Sequence, residues 1–293
     1  MEMENKVTGK TKVVCLIGNP VEHSVSPVLH NTISGCLGVD LVYTAFRVDK
    51  ECLESAVKGL KALNVVGFNV TVPYKKDIIG FLDHTSKEAL LMGAVNTVKI
   101  TDGRLYGYNT DAEGFSRSFK EETGTGFAGK SVAIIGAGGA ARAIAIKAAM
   151  EGAGKIYLIN RTPEKARDIA EMVSNNMGTS TQYCSTGEDA YIDILAKCDI
   201  LINSTSAGMF PHTDEVPVPR LPVFSKNQIV YDVIYNPSKT RFLAEAEKAG
   251  CKTVNGLGML FYQGVYAYEI WTGMNLPESK VRDLFQSFMR IKT

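Results

Sequence analysis

The sequence predicts an α/β fold built from two domains. Short apolar runs with strand character alternate with helical stretches along most of the 293 residues, a pattern typical of parallel sheets covered by helices. This length suits one large domain or two of moderate size. The hydrophobic share of 45% is enough for a core that needs neither disulfides nor metal ions.

Strands and helices can be placed from these runs. The predicted strands cover residues 13–17, 41–46, 65–70, 132–135, 156–159, 200–202 and 229–233. Helical patterns lie between them at residues 51–63, 140–150 and 163–173. A hairpin is expected where residues 98–100 and 105–108 flank the turn sequence Thr-Asp-Gly-Arg at 101–104.

A domain boundary is expected near residues 109–111. A Gly-rich stretch at 124–129 follows it and leads into a second α/β run. We therefore predict a first domain over residues 1–110, completed by two C-terminal helices within 256–293. The second domain is expected over residues 111–255.

Charge and cysteine content restrict the classes of function. The net charge of +1 argues against a general nucleic-acid binder, which needs a basic surface. The charged N-terminus has no apolar signal core, and no uninterrupted run is apolar enough to span a membrane. Six cysteines without zinc spacing and four scattered histidines predict free thiols, no bound metal and a cytoplasmic location.

The strongest motif lies at residues 131–142, which read SVAIIGAGGAAR. An apolar strand here leads into a GxGxxA loop and then an Ala-rich helix. Gly136 permits the tight turn, Gly138 lets the backbone approach a pyrophosphate, and Ala141 allows close packing of helix on strand. The pattern predicts a dinucleotide-binding domain of the Rossmann type.

The end of the next strand indicates which dinucleotide is bound. An acidic residue there would accept from the ribose 2′-hydroxyl of NAD, whereas this chain has Asn160, Arg161 and Thr162, with Lys165 a turn later. Arg161 can bind a 2′-phosphate through two parallel charge-assisted bonds. The structural alternative is a solvated Arg161 and a Thr162 that caps the next helix. We predict NADP over NAD.

Polar side chains in the first domain suggest a ligand site. Alternation along residues 66–72 places Asn69 and Thr71 on one face at the end of a strand, and Lys75 follows within a turn of Pro73. Ser24 and Ser26 follow the first strand and suit a carboxylate ligand. A purely structural alternative is Ser26 as a helix N-cap before a proline.

Gln263 is expected inside an apolar helix. A buried amide without a partner costs about 1–3 kcal/mol, so it must bond either to protein or to a ligand.

With these motifs in order along the chain, the sequence resembles the shikimate dehydrogenase family over nearly its full length. The motifs that carry the resemblance are GNP (18–20), SxSP (24–27), NVTVPxK (69–75), GAVNT (93–97), NTD (109–111), GAGGAAR (136–142), NRT (160–162), NxTSxGM (203–209), YDxxY (231–235) and NGLGMxxxQ (255–263). So many ordered motifs make the resemblance specific.

The resemblance implies NADPH-dependent, reversible reduction of 3-dehydroshikimate to shikimate, on the route to chorismate and the aromatic amino acids. It implies an acid/base role for Lys75, with Asp111 as its partner. The expected substrate-binding residues are Ser24, Ser26, Asn69, Thr71, Asn96, Tyr235 and Gln263. The expected cofactor-binding residues are Gly136, Ala137, Gly138, Gly139, Ala140, Asn160, Arg161, Thr162, Lys165, Thr205, Val233, Gly256 and Met259.

Two other functions remain open from the sequence. A dual quinate/shikimate dehydrogenase would share the fold and chemistry, although Ser24, Ser26 and Arg161 disfavour it. A non-catalytic ligand sensor on this fold would not need both Lys75 and Asp111. The partner expected in either case is a small molecule rather than nucleic acid or membrane, and the protein is expected to be a monomer or homodimer.

Overall fold

The computed structural model describes residues 7–292, which divide into two compact units. The first unit runs up to Thr110 and resumes at Gln263, and the second extends over Asp111–Tyr262. The first junction coincides with the expected boundary, whereas the second lies seven residues later than expected, inside a helix. Residues 1–6, part of the charged N-terminus, and Thr293, the end of the predicted helical segment, lie outside the described residues.

The first unit contains a mixed sheet of six strands within the described residues. They are β1 (Lys12–Gly18), β2 (Leu41–Arg47), β3 (Gly67–Val70), β4 (His84–Thr85), β5 (Thr97–Thr101) and β6 (Arg104–Tyr108). Their order is β2-β1-β3-β5-β6-β4. Strand β1 is parallel to β2 and β3, but β5 is antiparallel to both β3 and β6. The expectation of parallel pairing therefore holds for only part of this sheet.

The antiparallel pairing of β5 with β6 comes from the predicted hairpin, which is confirmed. Thr101 pairs with Arg104, and the two residues between them, Asp102 and Gly103, have φ values of 50° and 69°. Two successive positive φ values define the tight turn that matches the twist of the flanking strands.

Helices cover the first sheet, and the sequence patterns predicted the second and the last of the four described. They are α1 (Ser26–Leu37), α2 (Leu53–Ala62), α3 (Lys87–Met92) and the C-terminal α10 (Glu278–Lys292), which packs against α1. The pattern predicted at 51–63 begins as a 3₁₀ turn over Lys50–Cys52 before α2. Ile17, Phe68 and Ile78 are fully buried in the core beneath these helices.

The second unit contains a sheet whose described strands are all parallel. They are β7 (Ser131–Ile135), β8 (Lys155–Asn160), β9 (Ser180–Ser185), β10 (Ile200–Asn203), β11 (Ile229–Asp232) and β12 (Lys252–Val254). The order β9-β8-β7-β10-β11-β12 is the 3-2-1-4-5-6 order of the Rossmann fold. The predicted α/β class and Rossmann-type second domain are confirmed.

The strand order reverses between β7 and β10, and ligands of such sheets bind at the carboxyl ends of these two strands. The helices of this unit are α4 (Asp111–Thr123), α5 (Gly139–Met150), α6 (Pro163–Met177), α7 (Ala190–Lys197), α8 (Arg241–Lys248) and α9 (Leu257–Thr272), the last of which carries the second junction. Helix α5 directly follows the Gly-rich loop of β7. Across the described residues, no helix combines the length and apolarity that a membrane crossing requires.

Candidate active site

One edge of the first sheet gathers most of the predicted substrate residues. The carboxyl ends of β1 and β3 lie at this edge because the strands are parallel, and β5 begins there because it runs the opposite way. Five predicted residues flank these three strand ends: Ser24, Ser26, Thr71, Lys75 and Asn96.

Backbone hydrogen bonds hold the segments at this edge together. Thr71 N–H donates to Ile17 O at 3.0 Å, and Asn19 N–H donates to Val72 O at 3.0 Å. Val95 N–H donates to Lys75 O at 2.7 Å. The turn that carries Lys75 is therefore fixed beside the residue that precedes Asn96.

Ser24 and Ser26 are half-buried at the start of α1, but neither caps it. The N-cap position belongs to Val25 and Ser26 is the first helical residue, so the alternative that Ser26 is an N-cap is wrong. Ser24 Oγ instead accepts from Ser26 N–H at 3.3 Å. The Ser24 hydroxyl proton does not take part in that bond and can be donated to a ligand.

Asn69 is buried, with an exposed fraction of 5%, and its amide is largely used inside the protein. Its Nδ2 donates to Asn96 O at 2.9 Å and to Thr97 Oγ1 at 3.0 Å, while its Oδ1 accepts from Tyr43 Oη at 2.8 Å. Both amide protons are thus committed. Only a second lone pair on Oδ1 is left for a ligand.

Asn96 is oriented by Thr110, the last residue of the first unit before the chain enters the second. Its Oδ1 accepts from Thr110 N–H at 2.8 Å, and its Nδ2 donates to Thr110 Oγ1 at 3.0 Å. Thr97 Oγ1 also lies 3.1 Å from Thr110 Oγ1. The sequence analysis assigned no role to Thr97, Thr110 or Tyr43. The two threonines stand in the GAVNT and NTD motifs, which was the available signal, whereas Tyr43 resembles any core tyrosine of a strand.

The remaining predicted residues of this group lie on other elements. Gln263 belongs to α9 and is buried, with an exposed fraction of 9%. In the second unit, Asp111 is the first residue of α4, where a carboxylate interacts favourably with the helix dipole. Tyr235 follows β11 and is half-buried, and burial raises the pKa of its phenol.

The Gly-rich loop of the second unit has the geometry that a dinucleotide requires. Gly136 has φ of +114°, and a Cβ there would lie 2.5 Å from Ser204 Oγ, so only glycine fits. Cβ atoms built on Gly138 or Gly139 would meet nothing within 4 Å. The loop backbone therefore faces open space at the N-terminus of α5, whose first turn has no acidic residue. This arrangement fits a pyrophosphate.

The end of β8 carries the residues predicted to select NADP. Asn160 Nδ2 donates to Thr162 O at 2.9 Å, which folds the segment around an exposed Arg161. Thr162 occupies the N-cap position of α6, but its side chain makes no capping bond. Arg161 also lines a pocket of about 420 Å³, whose other walls are Thr186 and residues 214–219. The Arg161 guanidinium in this lining, which also includes two carboxylates, can pair with the phosphate of a phosphorylated ribose.

Side chains at the ends of β10 and β11 form a buried network. Thr205 donates to Asn203 Oδ1 through N–H at 3.0 Å and through Oγ1 at 2.7 Å. Asp232 Oδ1 accepts from Asn203 Nδ2 and from Ile234 N–H, both at 3.0 Å, and Asp232 Oδ2 accepts from Thr240 Oγ1 at 2.7 Å. Burial raises the pKa of Asp232 to about 6, although these bonds oppose the shift.

Val233 and Gly256 lie in direct backbone contact at the same edge. A Cβ at Gly256 would collide with the backbone of Val233, and Gly256 N–H donates to Ile234 O at 3.0 Å. Met259, in the first turn of α9, donates its backbone N–H to the hydroxyl of Tyr231. Thr205, Val233 and Gly256 thus follow the carboxyl ends of β10, β11 and β12.

These features define a class of protein. The chain combines a Rossmann unit whose loop suits a pyrophosphate with an α/β unit that presents a lysine among hydroxyl and amide groups. Nicotinamide-dependent dehydrogenases for small polar substrates have this organisation.

Comparison with known proteins identifies the family within this class. Residues 16–98 match the shikimate dehydrogenase substrate binding domain, residues 119–216 match shikimate / quinate 5-dehydrogenase, and residues 256–284 match the shikimate 5'-dehydrogenase C-terminal domain. The chain belongs to the shikimate dehydrogenase family.

Individual relatives agree over nearly the whole chain. Shikimate dehydrogenase (NADP(+)) of Methanopyrus kandleri is 43% identical over 99% of this chain and 100% of its own length. The structure of shikimate 5-dehydrogenase from Listeria monocytogenes, in complex with shikimate and NAD, is 39% identical with a TM-score of 0.89, covering 95% of this chain and 98% of that one. A shikimate dehydrogenase structure in complex with NADP+ is 42% identical with a TM-score of 0.89 and covers 98% of each chain.

Proposed function

We propose that this protein catalyses the reversible NADPH-dependent reduction of 3-dehydroshikimate to shikimate, a step of aromatic amino acid biosynthesis through chorismate. The observation that carries the proposal is the edge of the first sheet, where Ser24, Ser26, Thr71, Lys75 and Asn96 flank three strand ends. A polyhydroxylated ring acid offers a carboxylate and several hydroxyl groups, which match this set of donors and acceptors.

Lys75 is the proposed proton donor and acceptor. Reduction of a ketone leaves a developing alkoxide, and the Lys75 ammonium can donate its proton to that oxygen. In the oxidative direction the neutral amine takes the proton back from the hydroxyl. The backbone bond from Val95 N–H to Lys75 O fixes the turn from which the side chain extends.

Asp111 is the proposed partner of Lys75. A carboxylate favours the charged form of an ammonium, whereas burial would favour the neutral amine. Asp111 begins α4 directly after Thr110, which is bound to Asn96 through two side-chain contacts. The same short segment would therefore supply the partner of the lysine and orient one of the proposed substrate residues.

The substrate would be oriented by the remaining polar side chains. Ser24 and Ser26 are proposed to bind the carboxylate at the start of α1. Thr71, Asn96, Tyr235 and Gln263 are proposed to contact the ring hydroxyls. The contribution of Asn69 would be restricted to its Oδ1 atom, because both of its amide protons are bonded within the protein.

NADP would be held at the carboxyl edge of the second sheet. The residues proposed to bind it are Gly136, Ala137, Gly138, Gly139, Ala140, Asn160, Arg161, Thr162, Lys165, Thr205, Val233, Gly256 and Met259. When bound, the reduced nicotinamide supplies the hydride for the substrate carbonyl carbon. The open face of Gly138 and Gly139 supports the pyrophosphate position, and Arg161 supports the 2′-phosphate position.

A spectrophotometric assay tests this function directly. Absorbance of NADPH is followed with shikimate and then with quinate, each in the presence of NADP⁺ or NAD⁺. We expect efficient turnover of shikimate with NADP⁺ but not with NAD⁺. Comparable efficiency with quinate would identify a dual enzyme, and tight shikimate binding without turnover would identify a sensor.

Two further expectations belong to the same proposal. We expect a monomer or a homodimer, which sedimentation equilibrium distinguishes. We also expect a cytoplasmic protein, in keeping with cysteines that are all free thiols among the described residues. Fractionation of cells that express the tagged full-length chain tests the location.

A further inference from the structure

A buried cluster of hydroxyl and amide groups joins two of the proposed substrate residues, Asn69 and Asn96. The hydroxyl of Thr97 lies at its centre. Asn69 Nδ2 donates to Thr97 Oγ1 at 3.0 Å. Thr97 Oγ1 in turn lies 3.1 Å from Asn96 Oδ1 and 3.1 Å from Thr110 Oγ1. All four residues belong to the first unit and are buried, so one hydroxyl connects the two amides inside the protein.

Two backbone groups fix the orientation of these amides. The backbone oxygen of Asn96 can only accept, so the atom of Asn69 that faces it at 2.9 Å must be Nδ2. The backbone N–H of Thr110 can only donate, so the atom of Asn96 that faces it at 2.8 Å must be Oδ1. If either amide were turned over, two donors or two acceptors would face each other.

These orientations decide where the hydroxyl protons of the cluster point. Thr97 Oγ1 accepts from Asn69, and Thr110 Oγ1 accepts from Asn96 Nδ2 at 3.0 Å. The two hydroxyls contact each other, and both lie within 3.2 Å of Asn96 Oδ1. Only one of them can donate to the other. Because neither has another acceptor among the described residues, at least one hydroxyl proton must point to Asn96 Oδ1.

The two amides therefore have opposite hydrogen-bonding roles towards a substrate. Asn96 Oδ1 accepts from the Thr110 N–H and from a hydroxyl, which occupies both of its lone pairs. Any contact between the Asn96 side chain and a ring hydroxyl must then use Nδ2 as the donor. Asn69 has committed both amide protons, so its contact must use Oδ1 as the acceptor.

We propose that Thr97 is a positioning residue of the substrate site: its hydroxyl holds Asn69 as an acceptor and Asn96 as a donor towards the ring hydroxyls of the substrate. The inference rests on the proposed function, because it assumes that both asparagines contact the substrate. Thr97 is fully buried and acts only through these two side chains. Because both roles are set before the substrate binds, binding does not have to order the amides.

The variant Thr97→Val removes the hydroxyl and keeps a β-branched side chain, which suits a strand. Asn69 then loses the acceptor of one amide proton, and we expect the KM for shikimate to rise about tenfold. The kcat should change little, which is the pattern of a lost binding contact. The KM for NADP⁺ should stay within about twofold, since the proposed NADP-binding residues all lie in the second unit.

Two further substitutions of Thr97 test the hydroxyl itself. Thr97→Ser keeps the hydroxyl, and its KM for shikimate should lie within about threefold of the wild-type value. Thr97→Cys keeps the inference testable if Thr97→Val does not fold. A thiol is a weak donor and a weak acceptor, so the KM for shikimate should rise in this variant as well.

Thr123→Val provides the matched control. Thr123 is also buried, but its hydroxyl donates to the backbone oxygen of Phe119 at 2.6 Å and contacts no proposed substrate residue. This variant loses one buried hydroxyl and should keep the wild-type KM for shikimate. Trp271, the only tryptophan of the chain, donates its indole N–H to Val98 O at 2.9 Å, directly after Thr97. Its fluorescence therefore reports the folding of the Thr97 variants.

Combined substitutions separate the positioning role from other effects. Thr97→Val is introduced into Asn69→Ala and into Asn96→Ala, and it should raise the KM for shikimate less in each of these backgrounds than in wild type. Equal increases in all three backgrounds, or an unchanged KM in folded Thr97→Val, would overturn the inference while large effects of the two asparagine variants still upheld the proposed site. An unchanged KM in both asparagine variants would contradict the proposed site itself, and the inference with it.

Discussion

Asp232 and Asn203 are register partners on adjacent strands of the Rossmann sheet and are joined side chain to side chain, with 3.0 Å between Asp232 Oδ1 and Asn203 Nδ2. The bond links the two loops that carry Thr205 and Val233. Because Asp232 is completely buried, desolvation raises its pKa from 3.8 to about 6. This carboxyl is therefore a group whose charge state changes below neutral pH.

We expect Asp232 to lower the stability of the protein as pH rises. Between pH 3.8 and about 6 the folded state keeps this proton while the unfolded state has lost it, so the free energy of unfolding falls through that range. The full effect is on the order of 3 kcal/mol. The stability of Asp232→Asn relative to wild type should accordingly increase from pH 4 to pH 7, as measured by urea denaturation at each pH.

Asp199→Asn is the control with the opposite sign. Asp199 accepts from Ser131 N–H at 2.8 Å and from Ser131 Oγ at 2.7 Å, and the first of these bonds is the main cause that lowers its pKa. Its stabilising contribution is present above pH 3.8 and is lost as pH falls. Relative to wild type, Asp199→Asn should therefore be least stable near pH 7. Identical pH trends for the two variants would contradict the assigned states of both carboxyls.

A second stability prediction concerns His30. This ring is fully buried, and neither of its nitrogens has a hydrogen-bond partner among the described residues, so desolvation lowers its pKa from 6.5 to about 3. Below pH 6.5 the unfolded state gains a proton that the folded state does not, and stability falls as pH decreases. At pH 5 the loss is about 2 kcal/mol.

The variant His30→Phe isolates this effect. Phenylalanine keeps a flat ring between Tyr43 and Trp271 but cannot titrate. The stability difference from wild type at pH 7 gives the packing cost of the substitution. Only the change of that difference between pH 7 and pH 5 reports the proton, and it should favour the variant. A constant difference would show that His30 is protonated in the folded protein as well.

Sequence patterns predicted the elements whose hydrophobic signal is strong and missed short or polar strands at sheet edges. Strand β7 and helix α5 were placed by the apolar run and the glycine loop between them. Strands β9 and β12 were missed because Ser180–Ser185 and Lys252–Val254 are short or polar, and their strand conformation depends on pairing with β8 and β11.

The candidate site divides in the same way between what was and was not predictable. Lys75, Arg161 and the glycine loop stand in motifs with a local chemical signature. Tyr43 is hydrogen-bonded to Asn69, 26 positions further along the chain, and Thr110 is hydrogen-bonded to Asn96, 14 positions earlier. Nothing in the local sequence indicates either bond. The capping alternative for Ser26 was wrong because α1 begins one residue earlier than the Ser-Pro pattern suggested.

Cofactor preference should depend on Arg161. We expect Arg161→Ser to raise the KM for NADP⁺ about 10- to 100-fold, because charge-assisted bonds to a phosphate are lost, and to leave the KM for NAD⁺ almost unchanged. Steady-state kinetics with both coenzymes measures the effect. Arg167→Ser is the matched control, since this arginine lies further along α6 and pairs with Glu171. If the two variants behave alike, Arg161 does not select the 2′-phosphate.

Proton transfer should depend on Lys75 and not on its neighbour. We expect Lys75→Ala to lower kcat about 10²- to 10⁴-fold, the usual contribution of a general acid or base, with little change in the affinity for shikimate. Lys76→Ala removes an exposed lysine from the next position and should retain wild-type turnover. Turnover is measured by NADPH absorbance, and the affinity for shikimate is measured by a titration that follows Trp271 fluorescence. Substantial activity in Lys75→Ala would disprove the assignment.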